Sequence, residues 1–119
     1  MPRAGSNRER GPLERLDRKT SVETLWLYVI AALAVEGPTY AYNVRKIIER
    51  RFGFKPSTMT LYTVIYRLER SGFLRRRDNL YEVTPEGLAL LERGLEMLEG
   101  RLSLLRGALQ EARRRGAEG

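Results

Sequence analysis

The 119-residue sequence contains no cysteine and no histidine. Their absence excludes disulfide bonds, thiol chemistry and the usual structural zinc sites, and it removes the commonest general base of enzymes. Ser57 and Ser71 therefore have no histidine to activate them as nucleophiles. The sequence predicts a protein that is not an enzyme and that holds no cofactor and no metal.

Long apolar runs are also lacking. The most apolar segment, residues 22–35, is fourteen residues long, whereas a transmembrane helix needs about 20. The polar start of the chain does not have the layout of a signal peptide. We therefore expect a cytoplasmic protein with no membrane partner.

Basic side chains are abundant and unevenly distributed. The formal net charge is +7, and residues 43–77 carry ten basic and two acidic side chains. A basic surface of this kind attracts polyanions, and phosphate contacts release counterions and make binding strongly salt-dependent. The alternative is that the charge serves only solubility. The sequence pattern around these residues decides between polyanion binding and solubility.

Residues 57–72 have the pattern of a surface helix. Leu61, Ile65 and Leu68 recur at helical spacing and predict a buried face. Ser57 is a suitable N-cap, and Gly72 suits the left-handed residue that follows a helix. The outward face and its flanks carry hydroxyl, aromatic and basic side chains, namely Met59, Thr60, Tyr62, Thr63, Tyr66, Arg67 and Arg70.

A tight hairpin follows this helix. If Asp78-Asn79 is a two-residue turn, Leu74 pairs with Val83 and Arg75 with Glu82, and both are favourable cross-strand pairs. The three arginines Arg75, Arg76 and Arg77 then lie together on one strand, and Thr84-Pro85 begins another helix. Helix, short hairpin and helix make the outline of a winged helix.

Two helices are predicted upstream. Thr20 and Glu23 have capping-box spacing and predict a helix that runs to Glu36. Gly37-Pro38 breaks the chain, and Thr39 is a candidate cap for a second helix, which ends near Phe52. Together with the helix from Ser57, the second helix makes a helix-turn-helix, whose second element enters the major groove of DNA.

The last predicted helix carries leucines at alternating steps of three and four, as in a coiled-coil seam. One winged helix is too small to cover so much leucine, although a helix that packs only on its own domain is the alternative. The helix at residues 22–36 is apolar on most sides, and its Trp26 could instead line a ligand pocket or lie in the core. The predicted dimerisation residues are Trp26, Leu88, Leu91, Leu95, Leu98, Leu102, Leu105 and Leu109.

The fold class predicted is mainly α with a small β-hairpin, a winged helix-turn-helix followed by a long C-terminal dimerisation helix. The predicted division is a disordered basic arm at residues 1–19, a DNA-binding domain at 20–84, a dimerisation helix at 85–113 and a tail at 114–119. The arm is rich in Arg, Gly and Pro and poor in apolar side chains, which is typical of disorder. A minor-groove role for this arm is the alternative to a solvated tail.

An ordered set of short motifs resembles the PadR-type transcriptional regulators. The set spans Leu25 to Gly87, and the sequence departs from the family pattern at Tyr40-Ala41, at Thr63 and in the length of its wing. The resemblance implies a dimeric, repressor-like winged helix whose C-terminal helix builds the dimer, and it names no effector. The motifs are Gly37-Pro38, Tyr40-Ala41-Tyr42, Thr60-Leu61-Tyr62, Arg67-Leu68-Glu69, Gly72 and Tyr81-Glu82-Val83-Thr84-Pro85-Glu86-Gly87.

The hypothesis is a homodimer that binds double-stranded DNA at the nucleoid and regulates transcription. Base contacts are expected from Met59, Thr60 and Thr63, because the start of a recognition helix commonly enters the groove. Phosphate or mixed contacts are expected from Tyr62, Tyr66, Arg67, Arg70, Arg75, Arg76 and Arg77. A small-molecule effector is left open. The alternatives are an architectural protein that coats DNA without base readout and a winged-helix adapter that binds only protein.

Overall fold

The computed structural model describes residues 7–118 of the chain. A small three-stranded antiparallel sheet lies among helices, and one helix extends far beyond the rest. The elements in chain order are α1 (Asn7–Lys19), α2 (Leu25–Glu36), β1 (Thr39–Tyr40), α3 (Ala41–Phe52), α4 (Thr58–Arg70), β2 (Leu74–Arg77), β3 (Leu80–Val83) and α5 (Pro85–Glu118).

The core is built around α2, which contacts α3, α4, α5 and β3. Val29 and Ile30 are fully buried at its centre, as the apolar character of this helix requires. The buried stripes of α3 and α4 close over it from two sides. The core residues are Leu25, Val29, Ile30, Ala32, Leu33, Val44, Ile47, Ile48, Leu61, Ile65, Leu68, Leu74 and Tyr81.

Helices α3 and α4 form the predicted helix-turn-helix. Helix α3 ends at Phe52 and is capped by Gly53, whose φ of 81° is left-handed and therefore suits glycine. In the turn, Arg45 Nε donates a hydrogen bond of 2.7 Å to the carbonyl oxygen of Pro56. This bond fixes the start of α4 relative to α3, so the turn is held although it is longer than the tightest kind.

The hairpin has the predicted register. Leu74 pairs with Val83 and Arg75 with Glu82. Asp78 and Asn79 have φ values of 52° and 68°, as a type I′ turn requires at both central positions. Strand β1 adds to the other side of β3, so the strand order is β1-β3-β2.

Hydrogen bonds tie the hairpin to both neighbouring helices. At the end of α4, Gly72 N–H donates to the Glu69 carbonyl and Phe73 N–H to the Leu68 carbonyl, which is a Schellman motif. Thr84 Oγ1 donates to the Gly72 carbonyl at 2.7 Å and accepts from Gly87 N–H at 3.0 Å. The predicted start of the last helix at Thr84-Pro85 is confirmed, and this threonine also anchors it.

Helix α5 packs on the domain only through its first part. A Cβ atom at Gly94 would lie 2.9 Å from both Leu27 Cδ2 and Trp26 Cη2, so α2 and α5 approach closely at this glycine. From Leu95 to Glu118 every residue is exposed. Among residues 7–118, no helix is both long and apolar enough to cross a membrane.

Glu36 at the end of α2 joins it to α3. Its Oε2 accepts hydrogen bonds from Arg51 Nε at 2.7 Å and from Arg50 Nη2 at 2.8 Å. The bond to Arg51 first, and that to Arg50 second, lower the pKa of the Glu36 carboxyl below its usual value. The bridge is exposed, so salt screens it and it contributes little to stability.

The N-terminal arm is not disordered over its described part. Residues Asn7–Lys19 form a helix, while positions 1–6 of the predicted arm lie outside the described residues. Arginine, glutamate and leucine are strong helix formers, and Arg10 and Glu14 pair one turn apart at 3.8 Å. Composition alone indicated disorder because these side chains bury little, but an exposed helix does not need to bury them.

Three predicted helix ends are also wrong. Thr20 Oγ1 donates to the Leu16 carbonyl at the end of α1 and does not cap α2, which begins at Leu25. Thr39 lies in β1, and Tyr40 is the N-cap of α3. Helix α5 continues to Glu118, so the predicted tail at 114–119 is helical over its described part.

Candidate nucleic-acid interface

Helix α4 presents a polar and aromatic face to solvent. Leu61 and Ile65 are fully buried on its inner side. On the outer side Met59 is 81% exposed and Tyr66 is 47% exposed. Thr63, Arg67 and Arg70 are exposed as well, while Thr60 and Tyr62 are half-buried on the flanks.

The first turn of α4 is held by its cap. Ser57 Oγ accepts from Thr60 N–H at 3.2 Å and donates to Thr60 Oγ1 at 2.8 Å. The Thr60 hydroxyl is therefore engaged in the cap. Thr63 Oγ1 donates to the Met59 carbonyl at 3.0 Å, so its oxygen keeps its capacity to accept. Because Met59 and Thr63 are exposed and Thr60 is half-buried, Met59 and Thr63 are the more available of the three predicted base-contact residues.

The wing carries its three arginines in two different settings. Arg75 Nε donates to Glu82 Oε1 at 2.8 Å, and Arg77 Nη2 lies 3.3 Å from the same oxygen. Arg76 points to the other side of the sheet, where its Nε lies 3.5 Å from Glu69 Oε2. The Glu82 carboxylate therefore holds two wing arginines, and the Glu69 carboxylate links the wing to α4.

The end of α4 and the wing enclose a surface groove of about 410 Å³, lined by Tyr66, Glu69, Arg70 and Arg76. Tyr81 is only 3% exposed, and its burial, with the nearby Glu69 carboxylate in second place, raises the pKa of its phenol. The groove offers suitable donors for a phosphate group from two arginines, Arg70 and Arg76, and from the Tyr66 hydroxyl. Over residues 7–118, Arg67 and Arg70 have no carboxylate within 4.0 Å.

The predicted dimerisation residues fall into two groups. Trp26 and Leu91 are half-buried and pack against the core of their own chain. The remaining leucines, which we call the leucine ladder, are exposed, with Leu102 at 53% and Leu105 at 70%. The exposed group is Leu88, Leu95, Leu98, Leu102, Leu105 and Leu109.

Sequence reasoning missed the roles of two glutamates. The Arg75–Glu82 pair followed from the hairpin register, but the second contact of Glu82, to Arg77, runs diagonally across the strands. The contact between Glu69 and Arg76 joins a helix to a strand, and no local spacing predicts it.

A helix-turn-helix followed by a hairpin whose strand is basic defines the winged-helix class of DNA-binding proteins. Residues 29–93 match the family described as the transcriptional regulator PadR-like family. The chain belongs to the PadR-like family of transcriptional regulators. It is therefore a DNA-binding regulator of transcription and not an enzyme.

A solved structure has the same fold. It is a transcriptional regulator from Clostridium thermocellum, which superposes with a TM-score of 0.60 at 24% sequence identity. The match covers 71% of this chain and 90% of that one. No curated protein matches the sequence.

Proposed function

We propose that this protein is a homodimeric, sequence-specific repressor that binds double-stranded DNA and occludes a promoter. The observation that carries the proposal is one continuous surface. The exposed side of α4, from Met59 to Arg70, meets the arginine wing across the groove that contains Arg76. Hydroxyl and thioether groups at one end of this surface suit base edges, and the cations at the other end suit phosphates.

In this proposal α4 lies in the major groove. Its first two turns, with Met59, Thr60 and Thr63, read bases, and the better exposed Met59 and Thr63 contribute most. Tyr62, Tyr66, Arg67 and Arg70 fix the helix on the backbone. The wing turn is only Asp78-Asn79, so the wing holds phosphates and does not enter deeply into a groove.

A second copy of the chain completes the proposal. The C-terminal part of α5 exposes leucines at heptad spacing over about four turns, and water is a poor solvent for such a stripe. Two α5 helices packed along it cover the leucines and set two α4 helices at a fixed separation. An operator with two related half-sites follows from this arrangement, and the proposed DNA binding would place the protein on the nucleoid.

The wing is tested by the salt dependence of binding. We expect a variant with both Arg75→Ala and Arg77→Ala to lose about two units from the slope of log K against log salt, since each phosphate contact contributes about 0.9. We expect Glu82→Gln to tighten binding by roughly two- to fivefold, because an exposed ion pair worth up to about 1 kcal/mol no longer competes with phosphate. Fluorescence anisotropy with a labelled duplex at several salt concentrations measures both effects.

The arginine variant is expected to weaken binding and the Glu82→Gln variant to tighten it. General damage to the wing would weaken binding in both variants, so the two effects together identify a role in binding. A slope that is unchanged in the double variant removes the wing from the interface. Uniform coverage of any duplex, without a preferred site, favours the architectural alternative. Failure of the wild-type protein to bind any duplex at low salt favours the protein-binding adapter.

A further inference from the structure

Two stacked tyrosines lie on the surface beside the wing. The rings of Tyr40 and Tyr42 are 5.7 Å apart between centroids and only 11° from parallel. They are 43% and 57% exposed and lie outside the core cluster. Lys46 places its Nζ 6.0 Å from the centre of the Tyr42 ring, one turn further along α3. Core packing does not account for this arrangement.

Strand register places the tyrosines in line with the wing. Tyr40 pairs with Leu80, and Leu80 pairs with Arg77 on its other side. Directly paired residues of a sheet point to the same face. Arg77, Leu80 and Tyr40 therefore cross the outer face of the sheet in one row, roughly 10 Å from the first Cα to the last. The inner face of the same strands carries the buried Leu74 and Tyr81.

The row continues beyond the sheet through Tyr42 to Lys46. It has a cation at each end and hydroxyl-bearing aromatic rings between them, and we call these residues, Arg77, Leu80, Tyr40, Tyr42 and Lys46, the tyrosine row. Acidic side chains near it include Asp78, in the wing turn, and Glu82, which holds Arg77. Glu36 lines a groove with Lys46 but is paired with Arg50 and Arg51. The middle and far end of the row thus present donors and a positive charge to solvent.

We propose that the tyrosine row binds the sugar-phosphate backbone of DNA flanking the segment read by α4. The inference rests on the proposed DNA binding and extends its interface past the wing, with which the row shares Arg77. The two tyrosine hydroxyls donate to phosphate oxygens, the rings pack on deoxyribose, and Lys46 neutralises a further phosphate. The hot spots of protein interfaces commonly lie in well-packed, desolvated pockets, whereas the row exposes two flat rings with a cation at each end.

The chemistry suits binding that is independent of sequence. Phosphates and sugars carry no base identity, so contacts from the row add affinity and orientation for any duplex. A random-sequence duplex is therefore a sufficient probe, and it requires no knowledge of the operator.

Two variants test the row through different readouts. Lys46→Gln removes one charge, and we expect the slope of log K against log salt to fall by about 0.9. The double variant Tyr40→Phe, Tyr42→Phe keeps both rings and their stacking but removes the hydroxyls. We expect it to lose roughly tenfold in affinity at fixed salt, since hydrogen bonds to a charged acceptor are lost, with the slope unchanged. Anisotropy with a labelled random-sequence duplex gives both quantities.

Arg115→Gln is the matched control, because it removes the same charge from an exposed arginine near the end of α5. Hydroxyl-radical footprinting with wild-type and Tyr→Phe protein should show a loss of protection only at the flank of the bound segment. Row variants that match the Arg115→Gln control in slope and affinity overturn the proposal while leaving DNA binding intact. A wild-type protein that binds no duplex overturns the proposed function as well.

Discussion

Replacement of Leu102 by glutamate is expected to convert the proposed dimer into a monomer and to weaken binding to an operator at least about a hundredfold. Leu102 lies at the centre of the exposed ladder and is 53% exposed in the single chain. In the proposed dimer the new carboxylate would be buried without a partner, which is strongly unfavourable. A monomer engages one half-site at a time. It loses the high effective concentration of a second, linked DNA-binding domain, which contributes a factor of about 10² to 10⁴ in affinity.

The protomer itself should remain folded, because Leu102 belongs to the part of α5 that is exposed throughout. Sedimentation equilibrium gives the oligomeric state, and anisotropy with the operator gives the affinity. Ser103→Glu is the matched control, since this neighbouring residue lies on the opposite side of α5 from the ladder. A Leu102→Glu protein that remains dimeric would place the dimer interface elsewhere.

Substitution of Gly87 by alanine is expected to destabilise the protein by about 3 kcal/mol or more. The added Cβ would collide with the Phe73 carbonyl oxygen and lie 3.0 Å from its carbonyl carbon. These are backbone atoms, so the first turn of α5 must shift, and overpacking of this kind costs about 1–3 kcal/mol before other losses. The shift also disturbs the Gly87 N–H bond to Thr84 Oγ1 and the link from Thr84 to Gly72.

The same substitution elsewhere in α5 has the opposite expected sign. Gly100 and Gly107 have open space around the site of a new Cβ, and alanine is favoured over glycine in a helix by about 0.5–1 kcal/mol. Gly94→Ala should be intermediate, because its neighbours are the ends of the Trp26 and Leu27 side chains. Urea unfolding at one fixed protein concentration compares the variants. A Gly87→Ala protein as stable as Gly100→Ala would contradict the described contact.

Local chemistry was sufficient to predict the wing and the recognition helix. Asp78-Asn79 predicts a two-residue turn, and a turn of that length determines which residues of the two strands pair, including Leu74 with Val83. Ser57 and Gly72 mark the two ends of α4 because a cap and a left-handed residue each have a clear sequence preference.

Features that depend on distant partners could not be predicted. Strand β1 is only Thr39–Tyr40, too short for any alternation of polar and apolar residues, and it exists because β3 offers an edge. The capping-box spacing at Thr20 was misleading, since the end of α1 uses the same hydroxyl. The exposed α1 itself needed helix propensity, whereas composition measures only the capacity for burial.

The candidate site shows the same division. Which side of α4 faces solvent followed from helical periodicity, and Met59, Thr63 and Tyr66 are exposed as predicted. Periodicity did not predict which of these side chains already have partners within the protein. The Thr60 hydroxyl is engaged by the cap of α4, and carboxylates hold all three wing arginines, Arg75, Arg76 and Arg77. Contacts between helices and strands therefore determine which side chains already have a hydrogen-bond or ion-pair partner within the protein.

Selection of bound sequences from a pool of random duplexes tests whether two α4 helices of a dimer read DNA together. We expect enrichment of one site with two related, inverted half-sites, whose centres are about 10 bp apart or a multiple of that distance. Substitution of Met59 or Thr63 should change the enriched half-site, whereas substitution of Arg75 and Arg77 should not. Recovery of unenriched sequences, or of a single unpaired site, would contradict a dimer that reads DNA through α4.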